Sequence, residues 1–283
     1  MKRPLLETLF ALLIKGVTYF VVAVIGYILL DIIVKGAPVI SIEFLTTAPR
    51  QSGAAGGIFP AIVGTFYLVG GTLVVALPLG IASAIYLSEY ADQGRLTRMI
   101  RLAIITLAGV PSIVFGLFGL GLFVIFLNFG ASILAGSLTL ACMVLPVVIV
   151  ASEEALRAVP RAYREASLAL GATKWQTIRK NVLPYSVSGM LTASILAIGR
   201  AAGETAPILL TAAAFFLPKL PQSVFDQVMA LPYHLYILAI QHPEAHKVRP
   251  MQYGTALVLV ALVVSLSFGA IVLRSYFRKK YRW

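Results

Sequence analysis

Residues 102–152 read LAIITLAGVPSIVFGLFGLGLFVIFLNFGASILAGSLTLACMVLPVVIVAS, 51 residues in succession without an Asp, Glu, Lys or Arg. As one helix at about 1.5 Å per residue this stretch would extend roughly 76 Å, more than twice the roughly 30 Å of hydrocarbon in a bilayer. It must fold back on itself. Asn128, Phe129 and Gly130 interrupt the apolar run with a polar residue and a glycine, which predicts a turn there, with one span before it and one after. A second charge-free stretch, residues 51–88, repeats the signal. Over 283 residues, 59% hydrophobic and only 12% charged, with a mean hydropathy of +0.92, there is too little charge to coat a soluble domain.

Applied along the chain, the same logic places six spans near residues 16–34, 58–88, 102–127, 131–152, 186–217 and 254–273. Backbone in lipid has to satisfy its own hydrogen bonds, so the spans are expected as helices, and the short alternating segments of a transmembrane barrel are missing. Of the 23 lysines and arginines, 17 fall on one side, counting the N-terminus, the loops after the second and fourth spans, and the C-terminal tail. That side is predicted to be cytoplasmic, with both termini on it, in a multi-pass protein of the cytoplasmic (inner) membrane. The distribution also accounts for the net charge of +12 without nucleic acid, because the basic residues flank spans and form no single face. Lys2 and Arg3 precede an apolar run as in a signal peptide, but no small-residue cleavage site follows, so the segment reads as a retained anchor. The single cysteine, Cys142, lies in the fourth span and reads as apolar packing.

The most informative loop is residues 153–184. Glu153 and Arg157, four apart with the acid first, continue the fourth helix, and Pro160 stops it near Val159. Pro160 suits the start of a new helix over residues 161–170, about 15 Å long, and Gly171 suits the left-handed residue just past its end. Thr173 and Gln176 stand at capping-box spacing, predicting a further short helix that leads through Leu183 and Pro184 into the fifth span. A basic amphipathic helix lying on anionic headgroups would share the charge, but does not require Pro, Gly and capping residues at these offsets. No GxxxxGK[ST] occurs in the chain, so any ATP used is bound by a partner.

Glu165, Ala166 and Ser167, then Gly171, then Leu183 and Pro184 stand at the spacing of an EAA loop, and on these residues the chain resembles the permeases of ABC importers. The resemblance implies that the short helix lies in a groove of a separate ATP-hydrolysing subunit, with Ala166 allowing close approach, Gly171 permitting the turn and Glu165 fixing the loop through polar contacts. Ser167 replaces the second alanine of the pattern, and Asn181 stands where isoleucine is usual. FPAIVGT (59–65), AGVPSIVFGL (108–117), EEALRAVP (153–160), GRAAGETAP (199–207) and LPYHLYILA (231–239) are further similar to PstA-type permeases of phosphate-specific importers. That family implies an all-α integral membrane protein of six transmembrane helices with the type I ABC importer permease (MetI-like) fold, neither enzymatic nor cofactor-bearing. It also implies a homologous second permease, two copies of an ATPase docked on the cytoplasmic loop, and a phosphate-binding protein outside the membrane. Residues 58–273 would then be the permease domain, preceded by a first helix and external loop in 1–57 and followed by a basic tail, 274–283, that reads as an interfacial anchor.

Arg200 and Glu204 are the only charges in the fifth span. An ionised side chain at membrane depth costs at least about 2.5–3.5 kcal/mol, so the pair is expected to face a partner or a watered cavity. Guanidinium matches phosphate geometry and stays charged, which makes Arg200 a candidate substrate contact, with Glu204 holding it or excluding other anions. Gly199, Gly203 and Pro207 suggest a locally broken helix whose freed backbone groups line the path. A salt bridge pinning the fifth span to a neighbour is the other role open to the pair, although base before acid is the weaker helical order.

His242 and His246 have the i, i+4 spacing of a metal pair, but Pro243 and the lack of a nearby third ligand favour ordinary surface histidines, His234 included. Pro111 with Gly109, Gly116, Gly119 and Gly121 serves either a kink or close packing of the third span, packing being the default. An importer of another oxyanion (molybdate, sulfate or phosphonate) and an ATP-independent phosphate transporter or channel also fit the composition. An intramembrane hydrolase does not, for want of a Ser, His and carboxylate set at membrane depth.

Overall fold

The structure, a computed structural model, describes residues 5–53 and 55–280. Among these, five helices are long and apolar enough to cross a bilayer, or six if one sharply bent pair counts as a single span. Lys2, Arg3 and Arg282 of the charge count, with Tyr281 and Trp283 of the tail, lie outside the described residues.

Three helices form the centre: α3 (Phe59–Ile85), α6 (Ile133–Arg157) and α9 (Leu183–Gly203). Lipid offers no hydrophobic drive for helices to associate, so contact depends on small residues that let backbones approach. Gly80 of α3 faces Val148 of α6 so closely that an added Cβ would lie 2.6 Å from its Cγ1, and Gly189 of α9 meets Ala155 of α6 in the same manner. The Thr72 hydroxyl donates to Leu68 O at 2.7 Å and reaches Ser137 O of α6 at 3.4 Å, so this polar group is satisfied within the α3–α6 interface. Met143, Val144 and Val148 are fully buried in the resulting core.

Around this centre, α12 (Arg249–Lys280) lies on α9, and α1 (Leu5–Gly36) lies along α12 with most of its side chains exposed. The connection from α1 to α3 holds a short helix, α2 (Ile42–Thr46), and a minimal hairpin of β1 (Pro49–Arg50) and β2 (Ala55–Gly56), an exception to the all-helical expectation. Its Gly57 fits beneath three carbonyl oxygens, those of Glu43, Phe44 and Thr47, where no larger residue has room.

The expected turn at Asn128–Gly130 is present, with both residues left-handed (φ +54° and +67°), and Ser132 caps α6 by accepting from Ala135 N. The third span is not straight. It divides into α4 (Arg95–Ala108) and α5 (Ser112–Gly119), the latter continued by a π-helical segment to Phe126, and the two arms meet at 102°. Pro111 cannot donate the hydrogen bond that would continue α4 and its extended ψ of 140° starts α5 instead, so it bends the span. Packing holds at Gly116, against Pro207 and Ala206, and at Gly119, against Thr139.

The fifth span also differs from expectation at both ends. It begins at α8 (Lys174–Thr177), passes through a π-helical turn at Ile178–Val182 and runs on into α9 without a break. It ends at Gly203, and a separate helix α10 (Ala206–Thr211) follows. Pro184 does not interrupt the helix because it follows directly on the π-helical turn, where the hydrogen-bond pattern has already shifted away from the α-helical one. Beyond α10, residues 212–230 lead to α11 (Leu231–Tyr236), which is tucked against the bundle. His234 on α11 is 2% exposed, so it is a core residue and not the surface histidine expected. Thr65 of α3 accepts from Leu231 N at 2.9 Å and holds α11 in place.

Candidate functional site

Two places in the fold gather the residues singled out in the sequence. At one end of the bundle α6 extends to Arg157, where Glu153 and Arg157 pair at 2.7 Å as their spacing required. Pro160 then takes an extended conformation (ψ 141°) and starts α7 (Arg161–Ala169), which projects from the bundle. Gly171 adopts φ +81° with open space around it, so backbone conformation alone, and no close neighbour, calls for glycine. The capping box is complete: Gln176 N donates to Thr173 Oγ1 at 3.3 Å, and Thr173 N donates to Gln176 Oε1 at 2.9 Å.

Glu165 and Ala166 are exposed, and beside them lie Leu170, 89% exposed, and Trp175, 52% exposed. Exposed apolar and acidic side chains thus stand together on this loop. Ser167 points the other way. Its buried hydroxyl bonds Thr177 Oγ1 at 2.9 Å, joining α7 to α8 by a contact that alanine could not make. Leu183 packs with Leu156, Val159 and Val182 in an apolar layer at the base of the loop.

The sequence did not reveal what else holds this end. Arg101 of α4 donates to Glu153 Oε1 at 2.9 Å, to Gln93 Oε1 at 3.1 Å and to Leu87 O at 2.8 Å. Arg164 of α7 pairs with Glu89, which follows α3 in a π-helical turn at Tyr86–Tyr90. These partners are 52 and 75 residues apart, and no local spacing signals them.

The second place is the far end of α9. Arg200 and Glu204 are brought together, Nε to Oε1 at 3.7 Å, with side chains 30% and 20% exposed. That distance is an ion pair and too long for a hydrogen bond. Among the described residues the ion pair with Glu204 is the polar contact of the Arg200 guanidinium, which stays partly exposed. The helix ends between the two charges: Glu204 is extended (ψ 134°), and α10 begins two residues later. The tight seat of Gly116 on Pro207 and Ala206 fixes where the chain resumes.

Residues 76–283 match the family described as the binding-protein-dependent transport system inner membrane component. The chain is 33% identical over 247 residues to the probable ABC transporter permease protein YqgI of Bacillus subtilis, covering 82% of this chain and 83% of that one. It is 40% identical over 221 residues to the phosphate transport system permease protein PstA 1 of Mycobacterium tuberculosis, covering 78% and 70%. The probable phosphate transport system permease protein PstA of Methanocaldococcus jannaschii is 32% identical over 271 residues, covering 93% and 92%. In fold, the chain is similar to a chain of a bacterial ABC transporter that imports the acidic polysaccharide alginate, with a TM-score of 0.65 at 14% identity over 98% of this chain and 96% of that one.

Proposed function

Because this chain belongs to the family of binding-protein-dependent transport system inner membrane components, we propose that it is the permease subunit of an ATP-driven importer of inorganic phosphate. Support for the importer comes above all from α7, which holds Glu165 and Ala166 outward on a braced projection. A docking element needs this combination of exposure and rigidity. Support for phosphate comes from relatives with that word in their names, similar over most of their length, and from the partly exposed guanidinium at Arg200.

The end bearing α7 is the cytoplasmic one in this proposal, in keeping with the positive-inside distribution. There an ATPase pair docks and hydrolyses ATP. A second permease completes the translocation pathway, with the exposed flank of α1 available to it or to lipid, and a phosphate-binding protein delivers substrate at the opposite end. Residues 58–273 act as the permease domain, with 153–184 as its coupling loop. Glu165, Ala166, Ser167, Gly171, Leu183 and Pro184 serve coupling, while Arg200 and Glu204 serve the pathway.

The continuity of α8 with α9 gives the coupling a route. Force on α7 passes through the Ser167–Thr177 bond into α8 and so into one helix that ends at Gly203. From Leu183 to Arg200 is about 25 Å along its axis, so a tilt at the loop moves the charged pair. Alternating access then consists of α9 and its break opening first to one side of the membrane and then to the other.

The test is ATP hydrolysis by the complex co-purified with this chain and reconstituted in lipid, with its binding protein and either phosphate or sulfate. Stimulation by phosphate alone is expected. Stimulation by sulfate would replace the substrate, and the lack of any co-purifying ATPase would refute the importer. Glu165→Lys should leave the fold intact, since the side chain is exposed, and uncouple hydrolysis from uptake.

A further inference from the structure

Arg164 ties its own helix, α7, to the end of α6 that precedes it in the chain and to the turn that follows α3, 75 residues away. Its Nε and Nη2 donate to the two carboxylate oxygens of Glu89, at 3.1 and 2.7 Å, in the bidentate geometry that makes arginine–carboxylate pairs strong and directional. Its Nη1 donates to Val159 O at 2.7 Å, and Nη2 also donates to Leu156 O at 2.9 Å, a carbonyl that accepts from Val159 N as well, so the guanidinium caps the end of α6. Both charged side chains are largely withdrawn from solvent, 20% and 8% exposed, so the pair is less screened than a surface bridge.

Glu89 is held as firmly from its own side. It follows α3 within the Tyr86–Tyr90 π-helical turn, a wide turn that re-aims the side chains it carries. Ser88 Oγ donates to Glu89 Oε1 at 3.1 Å, and Arg101 donates to the neighbouring Leu87 carbonyl. The next residue, Tyr90, lies beneath the Lys174 ammonium of α8, 5.0 Å from the ring centre. Two adjacent residues of the turn therefore contact the two helices of the loop. Beside them a cleft of about 570 Å³ opens, bordered by Ser88, Gln93, Arg161 and Glu165, so α7 meets this turn through the ion pair and not through a packed apolar face.

We infer that Arg164 is a positioning residue which, through Glu89, clamps α7 to the end of α3, so that movement of the docking helix reaches the second span as well as the fourth and fifth. Covalent connection carries force from α7 only into α6 and, through α8, into α9. The clamp adds α3, the helix packed most extensively on α6, and makes the central helices respond together. This rests on the docking role proposed above for α7.

The experiment uses the full complex in lipid, with nitroxide labels at Asp92 and Leu168 and Cys142 replaced by alanine. Two quantities are read: phosphate imported per ATP hydrolysed, and the distance distribution between the labels with and without nucleotide. In the unaltered complex the distribution is expected to be narrow and the same in both states. Glu89→Gln keeps the side-chain shape and spares the Arg164 bonds to α6, so it removes the charge pair with the least damage. It should broaden the distribution and lower phosphate moved per ATP by about tenfold, the scale of a typical coupling free energy. Arg164→Gln should do the same or more, and if it fails to assemble, Glu89→Gln decides. A purely structural role would reduce the yield of complex but leave both readouts unchanged in the assembled fraction, and that result overturns the clamp. The distance arm needs no transport, so it separates failure of the clamp from failure of the importer, which would show as an unaltered complex that phosphate does not stimulate.

Discussion

Replacing Arg200 separates its two roles when done with and without its partner. In Arg200→Ala the Glu204 carboxylate, 20% exposed and close to the end of a membrane helix, loses its only charged neighbour in the fifth span. An unpaired carboxylate at that depth costs about 3 kcal/mol, enough to shift the folded-to-unfolded ratio roughly 100-fold, so poor assembly is expected. Arg200→Ala with Glu204→Gln removes that charge, and assembly should return. Transport should not. A hydrogen bond to a charged group contributes about 1.5–3 kcal/mol, and losing one to the anion in the pathway predicts a fall in phosphate uptake of roughly 10- to 100-fold. Uptake is measured in proteoliposomes, normalised to assembled complex, with hydrolysis followed in parallel. If the double variant imports phosphate at the unaltered rate, the pair is only a structural pin and the pathway role of Arg200 is refuted.

Three other outcomes can be checked. Ser167→Ala leaves the buried Thr177 hydroxyl without its partner and should destabilise the assembled permease by about 1–3 kcal/mol in thermal unfolding, whereas adding Thr177→Val should restore most of the loss. Gly171→Ala meets no steric obstacle, so its cost of about 1–2 kcal/mol comes from the left-handed backbone alone, and Gly171→Asn should cost less. Burial lowers the His234 pKa from 6.5 to about 4, so between those values the unfolded chain binds a proton that the folded chain refuses. Stability on this account is full above pH 6.5 and is lost as pH falls towards 4, by up to roughly 3 kcal/mol, and His234→Leu should flatten the thermal midpoint over that window.

The loop was the most legible part of the chain because its signals are local. Pro160, Gly171, Thr173 and Gln176 each act on backbone within a few residues, and each does in the structure what its type and spacing imply. The bends were harder to read. Pro111 and Pro184 are the same residue in apolar surroundings, yet one breaks a span at 102° and the other lies within a continuous helix, just after a π-helical turn. What separates them is the π-helical turn before Pro184, which shifts the hydrogen-bond pattern where the missing donor falls, and no residue type announces that turn. His234 was misread for a similar reason, since nothing next to it in sequence says that α11 folds back against α3.

By itself, then, the sequence determined that the chain is a bundle of membrane helices, where its turns fall and which loop stands out from it. Those properties follow from lipid excluding charge and unpaired backbone, and from turn chemistry confined to a few residues. Only the tertiary structure decided that α8 and α9 are one helix, that Ser167 faces inward while Glu165 faces outward, and that Arg164 finds Glu89. A charged side chain must find a partner once water is withdrawn, but which partner depends on the packing of small residues between distant helices, and that packing is settled only when the bundle closes.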